Sequence, residues 1–549
     1  MSSTPNTAVS DFVGAPSDMA LPGEPAASNE NAVPAEKKAA RKQIRGSSLL
    51  FAGRLMSQLI TLAVHTLIVR YLPSKSFGAY MYALSVTQSI GLFSTLGFDR
   101  AVSRFVPIYH ERNEFGKMFG TLKLVILTIV GFGLFVPAVV LAFHGTIEAR
   151  WVQDPEVMTL LMIAVFLVPF EAFDALLINM FAVFASPKAI FFRRHLLAPV
   201  MRLSIVGLMI LMSGDARFLT FGAVASSAFG VAICSVVLYR LMTKEGVWKH
   251  FDRNNVDIPW REILVFTLPL LSTDILFLVM NGLDVVLLKY YGTLEDVAAY
   301  RAVQPFARLN LIVYTTFTVL FTPQASRFFA RSDKAGINEL YWKTATWIAV
   351  LTFPVFIASF SLGQPLTLFM FGEQYAESGK LLSILAVGYY INAALGFNGT
   401  TLTIYRMVWY VALSTFVVAA LNLAINFTLI PRYGAMGAAV GTSVTLIAHN
   451  LLKQSGLLFG TGVSFADRRY LRVYAIIASS AVGLWLIQQF ANFNIFASSI
   501  LGVVIILIVV RTNRAALDVT ETFPELLRVP LIPLLLGKPR SASARKPRG

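Results

Sequence analysis

The amino-acid sequence predicts an all-helical polytopic membrane protein of about fourteen transmembrane helices, built as two parallel six-helix lobes followed by two further helices. Three observations predict it. Of 549 residues, 56% are hydrophobic and only 14% charged, an apolar excess that no water-soluble globule needs. The apolar residues fall in long continuous runs instead of alternating with polar ones, which favours helices that satisfy their own backbone hydrogen bonds in lipid. The 46 lysines and arginines are also distributed unevenly between alternate loops, as expected of a chain threaded repeatedly through a bilayer.

Residues 1–36 are rich in Ala, Pro, Ser and Asn and show no apolar periodicity, so 1–47 reads as a disordered cytoplasmic tail. It is not a secretory signal, because Lys37, Lys38, Arg41, Lys42 and Arg45 precede a full-length span and not a short apolar core with a cleavage site. Apolar runs follow at 48–69, 77–98, 119–143, 157–184, 194–212 and 218–241, which make an N-lobe of 48–242. A second series at 263–288, 297–322, 341–362, 380–402, 408–430 and 434–458 makes a C-lobe of 263–460. The runs 470–490 and 495–510 are the two extra helices, and 511–549 is a basic cytoplasmic tail. Threaded this way, 33 of the 46 basic residues lie on one side and seven on the other, so both termini are assigned to the cytoplasm. The single cysteine, Cys234, cannot form an intrachain disulfide.

An internal repeat supports the two-lobe division. Val69-Arg70-Tyr71-Leu72, followed by Ala79-Tyr80, echoes Leu288-Lys289-Tyr290-Tyr291, followed by Ala299-Tyr300. Each copy spans the end of one helix and the start of the next in the same orientation. Near the C-terminal end, Pro431 and Gly434 interrupt an apolar stretch of some fifty residues, which predicts a hairpin whose first helix ends at the proline. Asn422 and Asn426, one turn apart, face protein or water there, and Gly437 and Gly441 offer a small face for close helix approach.

The hairpin motif, the stretch Leu368 to Leu382, and the segment from Arg70-Tyr71-Leu72 through Phe77-Gly78-Ala79-Tyr80 to Gly97-Phe98 together resemble the polysaccharide transporter family of the multidrug/oligosaccharidyl-lipid/polysaccharide exporter superfamily, over roughly residues 46–510. The resemblance implies a V-shaped, two-lobed flippase that moves undecaprenyl-pyrophosphate-linked saccharide repeat units across the bacterial inner membrane. It also implies cavity arginines that contact the pyrophosphate, a lipid-linked oligosaccharide and membrane lipids as partners, H+ or Na+ as coupling ion, and neighbouring polysaccharide polymerase and export machinery.

Charges inside spans are costly, so those present carry the candidate chemistry. Arg54, Gln58, Thr61 and His65 recur at steps of 4, 3 and 4 and form one polar stripe on the first helix. Arg301, Gln304 and Arg308 repeat this on the eighth, with Arg308 near mid-span. A guanidinium stays charged and presents paired planar donors to phosphate oxygens. Arg54, Gln58, His65, Arg301, Gln304 and Arg308 are therefore the candidate substrate contacts. Among the intraspan carboxylates, Asp274, Glu171 and Asp174 are candidate ion-coupling groups, with partnership to buried arginines as the competing reading for these and for Asp284. No phosphate loop, metal-spaced His/Cys cluster or catalytic triad is present in the sequence, so neither enzyme chemistry nor a cofactor is expected. A net charge of +16 is explained by topology and calls for no nucleic acid. Two alternatives stay open: a polytopic O-antigen polymerase or ligase, and a multidrug or cation antiporter of the same superfamily.

Overall fold

The computed structural model describes residues 53–517 apart from 55, 185, 465, 466 and 492, so the whole N-terminal tail of 1–47 and most of the basic C-terminal segment lie outside the described residues. Among the described residues every regular element is helical and none is a strand. In chain order the longer helices are α1 (56–71), α2 (Ser74–Gly91), α3 (Phe98–Glu111), α4 (Phe115–Ala142), α5 (Pro155–Val183), α6 (Lys188–Leu211), α7 (Ala216–Lys244) and α8 (Trp260–Asn281). They continue as α9 (Leu283–Tyr291), α10 (Leu294–Arg308), α11 (Ile312–Ala330), α12 (Lys334–Phe360), α13 (Ser378–Ile404), α14 (Val408–Thr461), α15 (Arg468–Ala491) and α16 (Ile495–Thr512).

Nine of the described helices are long and apolar enough to cross a membrane. The largest residues on their outer faces are apolar, such as Leu134 and Phe135 on α4 and Phe229 and Val236 on α7, as lipid contact requires. One of the nine, α14, has 54 residues. At ~1.5 Å per residue it would reach about 80 Å if straight, far more than a bilayer core of ~30 Å. It folds back on itself at Gly434, whose φ of 52° and ψ of −130° suit a residue without a Cβ. The predicted hairpin is therefore present, but its reversal lies at Gly434, three residues beyond the expected stop. Pro431 removes one backbone donor without reversing the chain, and the positive φ turns it. Within the first arm Asn426 Nδ2 donates to Asn422 Oδ1, and across the hairpin Asn422 Nδ2 donates to Thr445 Oγ1, each at 3.2 Å.

Local sequence fixes several helix starts. Asp154 Oδ1 accepts from Glu156 N at 2.9 Å with Pro155 in the first turn, Asp215 and Asp333 cap α7 and α12 in the same way, and Thr293 with Asp296 forms a capping box on α10. Asp296 has a second task, since its Oδ1 also accepts from Ala435 N at 3.4 Å, which ties the start of α10 to the hairpin turn.

The repeat motif turns out to mark packing partners. α2 and α10, its two second helices, meet where a Cβ on Gly78 would stand 1.9 Å from the Leu294 carbonyl oxygen, and the largest apolar cluster runs continuously from Val64 to Ala439 across both. Both helices are also interrupted at corresponding depth. α2 stops at Gly91 and α3 begins at Phe98 after a tight segment containing the positive-φ residues Leu96 and Gly97. α10 stops at Arg308, and a short turn over Leu309–Leu311 leads into α11. There Asn310, fully buried, donates from Nδ2 to the Ala307 carbonyl at 2.9 Å, which satisfies backbone that the break frees. α15 and α16 pack on α12 and α13 through a separate cluster that includes Phe353, Ile357, Ile477 and Val509.

Candidate functional site

Where the two interrupted helices come together, the protein forms an open cavity of about 470 Å³. Its polar wall comes from both repeat copies: Ser85, Gln88 and Ser89 on α2, Asp99 and Arg100 at the start of α3, Arg301 and Arg308 on α10. α5 adds Glu171 and α8 adds Asp274. A broken helix leaves backbone and side chains free to turn inward, which is how membrane transporters build sites at mid-depth.

Each arginine is held differently. Arg301 donates from Nη1 to Gln304 Oε1 at 2.6 Å and from Nη2 to Ser85 Oγ at 3.0 Å, so it bridges α10 to α2, while its Nε is buried without a partner. Gln304 is buried and passes the contact inward, donating from Nε2 to the Tyr300 hydroxyl at 3.1 Å. That hydroxyl donates to Asp284 Oδ2 at 2.6 Å and lies 3.0 Å from Thr442 Oγ1. Arg308 donates from Nε to the Tyr389 hydroxyl at 3.0 Å, and the rest of its guanidinium stays open to the cavity. Among the described residues neither Arg301 nor Arg308 meets a carboxylate. Two guanidiniums on one wall with no ion pair among the described residues are equipped to bind an anion.

Arg100, by contrast, donates from Nη2 to Asp274 Oδ1 at 2.5 Å. Asp174 is bound by Arg193 Nε at 2.5 Å, and Gly230 leaves room for that guanidinium, whose Cζ would lie 3.0 Å from a Cβ there. Of the three coupling candidates only Glu171 has no ion pair among the described residues. It also lines a second cavity of about 220 Å³ with Thr61, His65, Gln88 and Arg202.

The sequence-derived candidates thus divide. Arg301, Arg308, Asp274 and Glu171 meet in the larger cavity, Gln304 stands behind it as a brace, and His65 lines the smaller one with its Nε2 3.0 Å from the Ala302 carbonyl. Arg54 and Gln58 are exposed and belong to neither wall. Arg54 offers its carbonyl to Ser57 Oγ at 3.0 Å, and Ser57 Oγ in turn lies 3.0 Å from His195 Nδ1 on α6. The polar stripe of α1 therefore reaches a cavity only in its upper half. Sequence reasoning missed Arg100 and Arg193, which it placed in cytoplasmic loops. Arg100 lies two residues beyond the predicted end of its span, and the signal was Asp99 beside it, a second charge at a helix start where a loop had been drawn.

With this geometry in view, the sequence matches the polysaccharide biosynthesis protein family over residues 44–329, more than half of the chain. The chain belongs to that family. A relative of similar extent is the capsular polysaccharide biosynthesis protein CapF of Staphylococcus aureus, 21% identical over 73% of this chain and 96% of that protein. Two solved structures share the architecture of this family member. The lipid II flippase MurJ in its inward closed conformation superposes with a TM-score of 0.62, 16% identity, and coverage of 86% of this chain and 99% of that one. An inward-facing multidrug resistance MATE family transporter of the MOP superfamily gives 0.56 and 14%, covering 74% and 93%. At these identities the likeness is one of fold. The family member therefore shares its fold with these two proteins, in line with the fold that the sequence resemblance implied.

Proposed function

We propose that this protein is a flippase that carries undecaprenyl-pyrophosphate-linked oligosaccharide repeat units across the bacterial inner membrane for surface or exopolysaccharide synthesis, by alternating access. The observation that carries this reading is the pair Arg301 and Arg308, without carboxylate partners, on the wall of a cavity built where both repeat copies are broken. Guanidiniums in a cavity suit a pyrophosphate head, whereas an antiporter for cationic drugs calls for carboxylates and aromatic rings without guanidiniums beside them, and here Asp274 is taken up by Arg100. Membership of a polysaccharide biosynthesis family, and likeness of fold to a protein named a lipid II flippase, support the same cargo class. The excess of basic residues on one side supports cytoplasmic termini.

Coupling to H+ or Na+ falls to Glu171 in this reading, because Asp174 and Asp274 are each occupied by an arginine and Glu171 touches both cavities. Glu171→Gln lowers ion-driven transport while cargo binding persists. The cargo assignment is tested in cells by an Arg308 series with membrane levels quantified alongside. Arg308→Ala abolishes surface polysaccharide and traps lipid-linked repeat units on the cytoplasmic face, and Arg308→Lys, a point charge without the paired fork, is intermediate. Loss of a polymerase would instead leave single units already displayed outside.

A further inference from the structure

The ion pair between Arg100 and Asp274 joins two parts of the chain that alternating access has to separate. α3 belongs to the first half, and α8 opens the second. α8 lies on α3 through three polar or cationic contacts: Tyr109 Oη donates to Glu262 Oε2 at 2.8 Å, the Arg104 guanidinium stands 4.5 Å over the Phe266 ring, and Arg100 binds Asp274. Past Gly282, α9 is instead committed to the second half by Asp284, which accepts from Tyr300 on α10. α8 thus bridges the halves, with a glycine where its allegiance changes.

The Arg100–Asp274 contact differs from the other two in lining the same cavity as Arg301 and Arg308. It is a single Nη2 to Oδ1 bond, and 41% of the Arg100 side chain remains exposed against 12% of Asp274. Arg100 therefore keeps donors turned to the cavity while its carboxylate partner is covered. An anion entering between Arg301 and Arg308 meets a third guanidinium whose present ligand is one carboxylate oxygen. A pyrophosphate carries more charge and more acceptor oxygens than that carboxylate and spans several donors at once.

We infer that the Arg100–Asp274 ion pair is a cargo-sensed latch: the pyrophosphate head takes Arg100 from Asp274 and so releases α8 from α3. This rests on the flippase reading above and adds to it a third cargo arginine, together with the step by which binding loosens the contact between the halves. Arg100 is the residue that touches cargo, and Asp274 acts through it as a positioning residue.

The test uses full-length protein in lipid nanodiscs with farnesyl pyrophosphate as probe and inorganic phosphate as control. Spin labels sit at exposed positions of α3 and α8 in a Cys234→Ser background, which is cysteine-free because Cys234 is the only cysteine. In the otherwise native sequence the probe lengthens the α3–α8 distance. Asp274→Asn, which removes the competitor and keeps the shape, binds the probe about tenfold more tightly and shows the longer distance without it. Arg100→Gln binds more weakly and shows the longer distance in all conditions. Tighter binding is what a merely structural pair would not produce. An unchanged or weaker affinity of Asp274→Asn, or a distance indifferent to the probe, overturns the latch. If Arg301→Ala and Arg308→Ala abolish binding while Arg100→Gln leaves it intact, the latch fails and the flippase reading stands. If the unmutated cavity binds no pyrophosphate, the flippase reading itself fails.

Discussion

Arg193 donates from Nε to Asp174 at 2.5 Å with 8% of its side chain exposed, so removing either partner strands a charge among packed helices. Arg193→Ala therefore destabilises the protein by about 3–5 kcal/mol, whereas the joint replacement of Arg193 by Met and Asp174 by Leu costs much less, because burying neither charge is easier than burying one. Denaturation of the purified variants measures the difference, and equal losses for single and double changes would refute the pairing. Gly434 is a second sensitive residue. Its φ of 52° is combined with the Asp296 carboxylate, whose Oδ1 would stand 2.9 Å from an added Cβ. Gly434→Ala is expected to cost about 1–3 kcal/mol through backbone strain, read as a lower melting temperature with the capping contact of Asp296 to Ala435 weakened. At this scale the sequence was legible where chemistry is local. Pro431 and Gly434 state their turn within four residues. Arg100 and Arg193 were illegible for the opposite reason, since counting charges by loop assumes that a basic residue next to a span stays in water, and each folds back to a carboxylate on another helix, 174 and 19 residues away.

Helices show a similar division. Gln58, Thr61 and His65 of the stripe do lie along α1, with Arg54 just ahead of its range, but periodicity states which residues share a face and not what that face meets. Here the lower residues are exposed, and His65 packs against the Phe77 and Phe371 rings. The Arg301, Gln304, Arg308 stripe was read more fully because its helix is the one that meets α2 in the middle of the molecule. What periodicity did not show was the break after Arg308, and it is the break that aims this residue into the cavity. The hairpin of α14 gives an element-scale prediction. Asn422 accepts from Asn426 within its own arm and donates to Thr445 across the hairpin, and a hydrogen bond between membrane helices such as the latter is worth about 0.6 kcal/mol. Asn422→Leu is accordingly a mild change, lowering thermal stability slightly without altering transport. A complete loss of transport at normal protein level would mean that the asparagine meets cargo instead of bracing the hairpin.

For the whole molecule, an all-helical membrane fold followed directly from composition and run length, and the internal repeat pointed to the two helices that now face each other. The repeat was faint in sequence because what it preserves is a helix end, a tyrosine and small residues at the contact, such as Gly78 and Ala298, while the cavity residues differ: Gln88 and Arg308 occupy equivalent places 220 residues apart. That asymmetry places Arg301 and Arg308 on the α10 wall, with Arg100 facing the same cavity from α3. In the proposed flippase, Arg301 and Arg308 hold an anionic lipid-linked head during its passage. This role is tested most directly by purified protein in liposomes, following the transfer of a fluorescent lipid-linked saccharide from one leaflet to the other. The account predicts transfer by the native protein and its loss in the Arg301→Ala, Arg308→Ala double variant at equal reconstituted amount. Undiminished transfer by the double variant would contradict it.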